Sequence, residues 1–215
     1  MKNNTTELVF ILDKSGSMAS MTGDTVGGFN ALIDKQKKED GVCLVTTVLF
    51  NQESQRLHDR VPLSEVAPLT DREYTPGGCT ALLDAVGSTI AHIEAVHRYI
   101  RPEDVPAHTL FVITTDGLEN ASHTYSAQKV KQMVSEKTGA GWEFLFLGAN
   151  IDAVGCAADI GIQADRAADF CPDGRGMNSV FRSLSRAVGA ARKGQSMDEV
   201  NWCAEVTADF EKRGK

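Results

Sequence analysis

The run Leu8-Val9-Phe10-Ile11-Leu12 constrains this chain more than any other stretch. Five consecutive apolar residues leave a strand with no face for water, so both of its sides must be covered. Leu110-Phe111-Val112-Ile113 has the same character. Doubly buried strands belong to sheets layered between helices, and the intervening segments supply those helices. Between Thr22 and Lys38, Val26, Phe29, Leu32 and Ile33 recur at helical spacing, with cations in the last turn and Gly41 just past it.

Val42 to Phe50 reads as a second strand and Gln55 to Val61 as a weaker third. The link Asn51-Gln52-Glu53-Ser54 is too short for a crossover. The pair is therefore expected to be an antiparallel hairpin, with the third strand at an edge. Pro62, Pro68 and Pro76 mark a loop that ends in Gly77-Gly78. From Thr80, the positions Leu82, Val86, Ile90, Ile93, Val96 and Ile100 predict a long helix that stops before Pro102. After the Leu110 strand come a helix over Ser126–Lys137, a strand over Glu143–Leu147, a short helix over Asp152–Asp159 and a poor strand over Arg166–Phe170. Met177–Lys193 is a further helix. Ser196-Met197-Asp198-Glu199 has the capping-box pattern, which predicts a last helix over Val200–Arg213 with Trp202 packed down. The expected organisation is one domain over residues 1–194 and a C-terminal helical appendage over 195–215.

Charge excludes some partners. A net charge of −7 repels phosphate backbones and anionic lipid. The basic run Lys35-Gln36-Lys37-Lys38 reads as a solvated helix end, so neither nucleic acid nor membrane is expected as a partner. The apolar runs are far below membrane-spanning length, and the polar start has no secretory apolar core, so the expected location is cytoplasmic. Cys43, Cys79, Cys156, Cys171 and Cys203 are an odd number with no C-x-x-C spacing, and are expected to be plain thiols.

Asp13-Lys14-Ser15-Gly16-Ser17 begins where the first buried strand ends, and Thr115-Asp116-Gly117 stands at the end of the fourth. In doubly wound sheets these two strands are commonly neighbours where strand order reverses, and ligands sit beyond their carboxyl ends. Asp13 and Asp116 are then expected to converge, with Thr80 joining from the loop that Gly77-Gly78 lets turn tightly. The inventory is two carboxylates and three hydroxyls (Ser15, Ser17, Thr80). That all-oxygen set suits hard Mg²⁺ or Mn²⁺ rather than zinc, and soft Cys79 is a poor match.

The pattern D-x-S-x-S, then Thr80 in Thr75-Pro76-Gly77-Gly78-Cys79-Thr80, then Asp116 in Thr114-Thr115-Asp116-Gly117, resembles the metal-ion-dependent adhesion site of von Willebrand factor type A domains. The resemblance runs from about Glu7 to Lys193. It implies a doubly wound, mostly parallel six-stranded α/β sheet with one antiparallel edge strand and helices on both faces. It also implies that Ser15, Ser17 and Thr80 bind the metal directly or nearly so, with Asp13 and Asp116 acting partly through water. The implied activity is binding of a protein partner through its Asp or Glu carboxylate, and the short form looks like a stand-alone bacterial cytosolic member.

Plainer readings sit beside this one. D-x-S-G-S alone is an ordinary turn that could cap the next helix. The alternative class is an Mg²⁺-dependent phosphoryl hydrolase of haloacid-dehalogenase-like type, with Asp13 as nucleophile. Such a site needs a second Asp where Ser15 stands and a Lys partner after Asp116. A serine hydrolase would need a G-x-S-x-G elbow, and Ser15 follows Lys14 instead. The expectation is therefore no enzyme. Lys14 and Glu119 are weak candidates for the rim; the plainer reading makes Lys14 a solvated side chain and Glu119 the start of a helix. His92 and His97 are expected at the surface of the long helix.

Overall fold

The computed structural model describes residues 4–214; Met1 to Asn3 and Lys215, at the two ends of the expected domain and appendage, lie outside the described residues. Six strands form one sheet in the order β3-β2-β1-β4-β5-β6. They are β1 (Thr6–Asp13), β2 (Cys43–Phe50), β3 (Ser54–Pro62), β4 (His108–Thr115), β5 (Trp142–Gly148) and β6 (Ala167–Asp169). Every pairing is parallel except β2 with β3, the hairpin at one edge. The order reverses between β1 and β4, which lie side by side in register from Thr6 opposite His108 to Leu12 opposite Thr114.

Alternation along each central strand feeds two cores. Leu8, Phe10 and Leu12 of β1, with Leu110 and Val112 of β4, join a cluster that includes Phe29, Leu32, Val180, Phe181 and Leu184. Val9, Ile11, Phe111 and Ile113 enter the opposite cluster with Val86, Ile90, Ile93 and Val130. The helices accordingly divide into two layers. On the first face lie α1 (Thr22–Gln36), α5 (Gly174–Arg192) and α6 (Ala204–Arg213); on the second lie α2 (Leu82–Tyr99), α3 (Ala127–Gly139) and α4 (Ala153–Asp159). Met197, Trp202 and Val206 from beyond residue 194 are buried in the first core.

Most element ends shift by a residue or two from expectation, and three are set by specific contacts. The end of α1 is not a glycine cap: Arg192 of α5 donates to the carbonyls of Gln36, Glu39, Asp40 and Gly41, while Gly41, at φ +101°, turns the chain toward β2. α5 starts earlier than Met177, because the Asp173 carboxylate caps it on the Gly176 N–H at 2.8 Å. The Ser196 hydroxyl accepts from Asp198 N at 3.2 Å and starts only a single 3₁₀ turn, so the last helix begins at Ala204 rather than Val200. All five cysteines are free thiols, as expected. No helix among the described residues is long and apolar enough to cross a membrane.

Candidate metal centre

Strand topology brings the sequence candidates together at the carboxyl end of the sheet. Asp13 is the last residue of β1, and Asp116 directly follows β4. Both are nearly inaccessible, at 0% and 3% relative exposure. The Asp13 carboxylate is held on both oxygens: Oδ1 accepts from Ser15 N at 2.6 Å and Oδ2 from the Thr115 hydroxyl at 2.6 Å. The Ser15 and Ser17 hydroxyls lie 3.2 Å apart, and Ser17 Oγ donates to Asp116 Oδ1 at 2.5 Å. Four of the five residues thus form one connected cluster. Ser15 is buried whereas Ser17 is exposed, so the cluster opens to solvent on the Ser17 side.

Thr80 comes from the third loop. Its backbone is fixed from both sides, N–H to Asn120 Oδ1 at 2.9 Å and carbonyl from Asn120 N at 3.0 Å. A Cβ on Gly117 would stand 3.3 Å from Thr80 Oγ1 and 3.7 Å from Ser17 Oγ, which places both hydroxyls against the same bare backbone. Gly117 keeps the space between the loops free.

The loops are also joined to one another. Gly16 N donates to Gly78 O at 3.1 Å, and Gly77 N to Lys14 O at 2.9 Å. Gly78 sits at φ +78°, and the Gln52 side chain fills the place where a Cβ would be, so no other residue fits there without strain. The Tyr74 hydroxyl, fully buried, donates to the Asp13 carbonyl at 2.5 Å. Asn51 from the β2–β3 turn donates to Gly77 O at 2.9 Å.

The electrostatics are unbalanced. Burial pushes the Asp13 carboxyl above the ordinary carboxylate range, and nearby Asp116 pushes the same way, against the pull of the Thr115 and Ser15 hydrogen bonds. Burial likewise raises Asp116, against the hydrogen bond from Ser17. No Lys, Arg or His forms an ion pair with either group among the described residues. Two buried carboxylates with no protein counter-charge, ringed by hydroxyl oxygens, form a donor set that a hard divalent cation fits. No group of three or more His, Cys, Asp or Glu side chains among the described residues could hold a metal. Hydroxyls are therefore indispensable to any site here.

The weaker candidates go elsewhere. Lys14 does not cross the mouth; its ammonium turns to the exposed Gln55 Oε1 at 3.1 Å, toward β3. Glu119 neither begins a helix nor faces the cluster. Its carboxylate accepts from Leu83 N at 2.8 Å, Ala121 N at 2.9 Å, Ser122 N at 2.7 Å and Ser122 Oγ at 2.7 Å, and so ties the loop after Asp116 to the start of α2. His97 is not a surface histidine, because its ring lies 3.2 Å from the buried Glu7 carboxylate. Thr115, Tyr74 and Asn120, which hold the candidate ligands in place, were not among the sequence candidates. Thr115 was findable, being adjacent to Asp116 at the end of a strand next to β1; Tyr74 leaves no local signal.

No family model matches the sequence, and no curated protein matches it. Solved structures do. The von Willebrand factor domain of the type V pili tip protein Mfa5 from Porphyromonas gingivalis superposes with a TM-score of 0.62 at 9% identity, over 91% of this chain and 97% of that one. Proximal thread matrix protein 1 from the mussel byssus, in a structure with a zinc-occupied adhesion-site motif, gives 0.58 at 14% identity, over 85% of this chain and 45% of its own. The manganese-loaded TRAP protein of Plasmodium vivax gives 0.50 at 19% identity, over 69% of this chain and 58% of its own. The chain thus spans about half the length of the mussel and Plasmodium chains. The fold is that of von Willebrand factor type A domains.

Proposed function

We propose that this von Willebrand factor type A-like domain is a metal-dependent, non-enzymatic protein-interaction module, cytoplasmic, with Asp13, Ser15, Ser17, Thr80 and Asp116 holding Mg²⁺ or Mn²⁺. The partner is a protein that presents an Asp or Glu carboxylate. One observation carries the reading: Asp13 and Asp116 are buried side by side with no protein cation, in contact with Ser15 and Ser17 hydroxyls at the open end of the cluster. That some neighbours of this fold carry manganese or zinc supports it.

A bound divalent cation would supply Lewis acidity and, with only two carboxylates to balance it, an open position for a further anionic oxygen. The chain supplies the rest. Thr115 and Ser15 N fix the Asp13 carboxylate, Asn120 fixes the Thr80 backbone, and the joined backbones of residues 14–16 and 77–78 hold two loops at a set distance. Burial of Asp13 and Asp116 excludes the water that would otherwise screen their charge.

Calorimetric titration with Mg²⁺ and Mn²⁺ tests the site. Wild type is expected to bind one equivalent of divalent ion, and Asp116→Ala to lose most of that affinity with its core intact. Partner binding should fall together with metal binding in Asp116→Ala. A partner held equally by Asp116→Ala and wild type in chelator-free buffer overturns the mechanism. The phosphoryl-hydrolase alternative has Ser15 where its second carboxylate belongs. Turnover of generic phosphate esters that disappears in Asp13→Asn would replace the binding reading with that one.

A further inference from the structure

The outer surface of the first helical layer holds a feature that the metal loops do not use. Helix α1 carries Gly23, Gly27 and Gly28 within two turns, although glycine is a poor helix former. Gly28 has an internal reason: a Cβ there would stand 2.1 Å from the Phe181 ring of α5. Gly23 and Gly27 have none, since nothing lies within 4 Å of a Cβ built on either. With Ala31 they recur at every fourth residue, so all three lie along one exposed face. The helix-propensity cost of Gly23 and Gly27 is not recovered by packing within the chain.

A groove of about 650 Å³ runs beside that face, between α1, α5 and α6, with Gly28, Leu32 and Phe181 in its lining. Ser185 also lines it, 7% exposed, with its hydroxyl unpartnered. That hydroxyl is itself closed off from solvent, so the polar character of the groove is set by its charged walls. Lys35 and Arg182 stand exposed on opposite walls, and neither has an acidic partner among the described residues. The one acidic group in the lining, Glu205, is engaged by Arg186 at 3.6 Å. A chain of net charge −7 thus presents free cations here.

We propose that this groove docks an acidic amphipathic helix of a partner protein. Its small-residue seam packs on Gly23, Gly27 and Ala31, and its carboxylates face Lys35 and Arg182. Two unpaired cations on the groove walls are too few to neutralise a phosphate backbone, which disfavours a nucleic-acid occupant. A lipid surface is disfavoured because the exposed large apolar residues, Val42, Tyr99, Leu118 and Val154, all lie outside the groove. The proposal is independent of the metal site, and binding here persists in chelator.

A displayed library of helical peptides, selected on the wild-type protein in EDTA, tests it. Enriched sequences are expected to carry Glu or Asp flanking an Ala- or Gly-rich seam. The synthesised winners should lose about tenfold or more in affinity toward Lys35→Glu/Arg182→Glu. Gly27→Leu, which projects into open space and so retains the fold, should weaken them at least as much while raising the unfolding midpoint. The proposal is overturned by neutral or basic winners, by winners that bind the variants as they bind wild type, by no enrichment, or by a wild-type dimer that Gly27→Leu dissociates, which would make a second copy the occupant.

Discussion

The two ends of β1 bury the same kind of charge and treat it in opposite ways. Glu7 and Asp13 are both 0% exposed, six residues apart on one strand. Glu7 is matched within the chain: Arg60 Nε donates to its two oxygens at 3.1 and 2.9 Å, and His97 approaches at 3.2 Å. To bring that guanidinium in, β3 is irregular opposite β2, and Arg60 takes φ +51°, a conformation non-glycine residues avoid. Asp13 has no such partner. It receives only a backbone N–H and a hydroxyl, and the neighbouring charge that acts on it, Asp116, is another carboxylate. One end of the strand is thus neutralised within the chain, and the other is left without a counter-charge. On the proposed reading, a bound divalent cation supplies the positive charge that the second lacks.

The contrast breaks first at Glu7. Glu7→Gln leaves Arg60 facing an amide N–H in a buried site, and should cost about 3 kcal/mol in urea unfolding. The loss should be the same with Mg²⁺ or with EDTA, because the cation of that site is built in. Next in size is the effect of the ion itself. At about 100 times its dissociation constant, Mg²⁺ should stabilise wild type by roughly 2.7 kcal/mol, and Glu7→Gln by the same increment from its lower baseline. Asp13→Asn should gain nothing from it. An equal gain in Asp13→Asn would mean that the ion acts elsewhere.

Neutralising Asp13 in EDTA has the opposite sign to neutralising Glu7. An Asn at position 13 keeps the acceptor for Ser15 N, and its amide can donate to Thr115 Oγ1 while that hydroxyl turns to Gly117 O at 3.1 Å. Removing an uncompensated buried charge without losing its hydrogen bonds should raise metal-free stability by about 1 kcal/mol. If Asp13→Asn is instead destabilised in EDTA, the protein already compensates that charge, and the two ends of β1 are alike.

How far the sequence went follows from which interactions are local. β1, β4 and β5 were legible because both faces of each are apolar, and the hairpin because four residues cannot make a crossover. Asp13, Ser15, Ser17, Thr80 and Asp116 stood out because the loops at the ends of buried strands have nowhere to go but the same sheet edge. What escaped was set by tertiary contact. Trp202 is buried, and its indole N–H donates to Asp165 O at 3.0 Å, which holds residues 200–202 out of the helix that the capping box predicts. The start of α5 was hidden by Gly174 and Gly176, yet a Cβ on Gly176 would stand 2.0 Å from Cys171 O, so packing there demands the residue that propensity disfavours. Lys14 could be placed only once β3 was beside it.

A last effect, no larger than that at Asp13, sharpens the comparison, because it asks whether neutral donors alone can hold a carboxylate. Asp84, in the first turn of α2, has no cation either: it accepts from Thr124 N at 2.9 Å, Tyr125 N at 2.8 Å and His123 N at 2.9 Å. Burial raises its pKa, but the group is only half-buried, and the three N–H donors together carry the balance below 3.8. A lowered folded-state pKa contributes stability above the unfolded value and loses it as pH falls through the folded one. Asp84→Asn, which sets an amide N–H against a backbone N–H, should therefore cost about 1 kcal/mol near neutrality. That difference should shrink as pH drops below 3.8. For Asp13 in EDTA the slope reverses, because its folded-state pKa is raised: wild type should gain on Asp13→Asn as pH falls toward 3.8. Paired urea melts across that range read both slopes in one experiment. Parallel slopes would show that two neutral donors suffice at Asp13 as three do at Asp84, and the case for an external cation would lose its electrostatic basis.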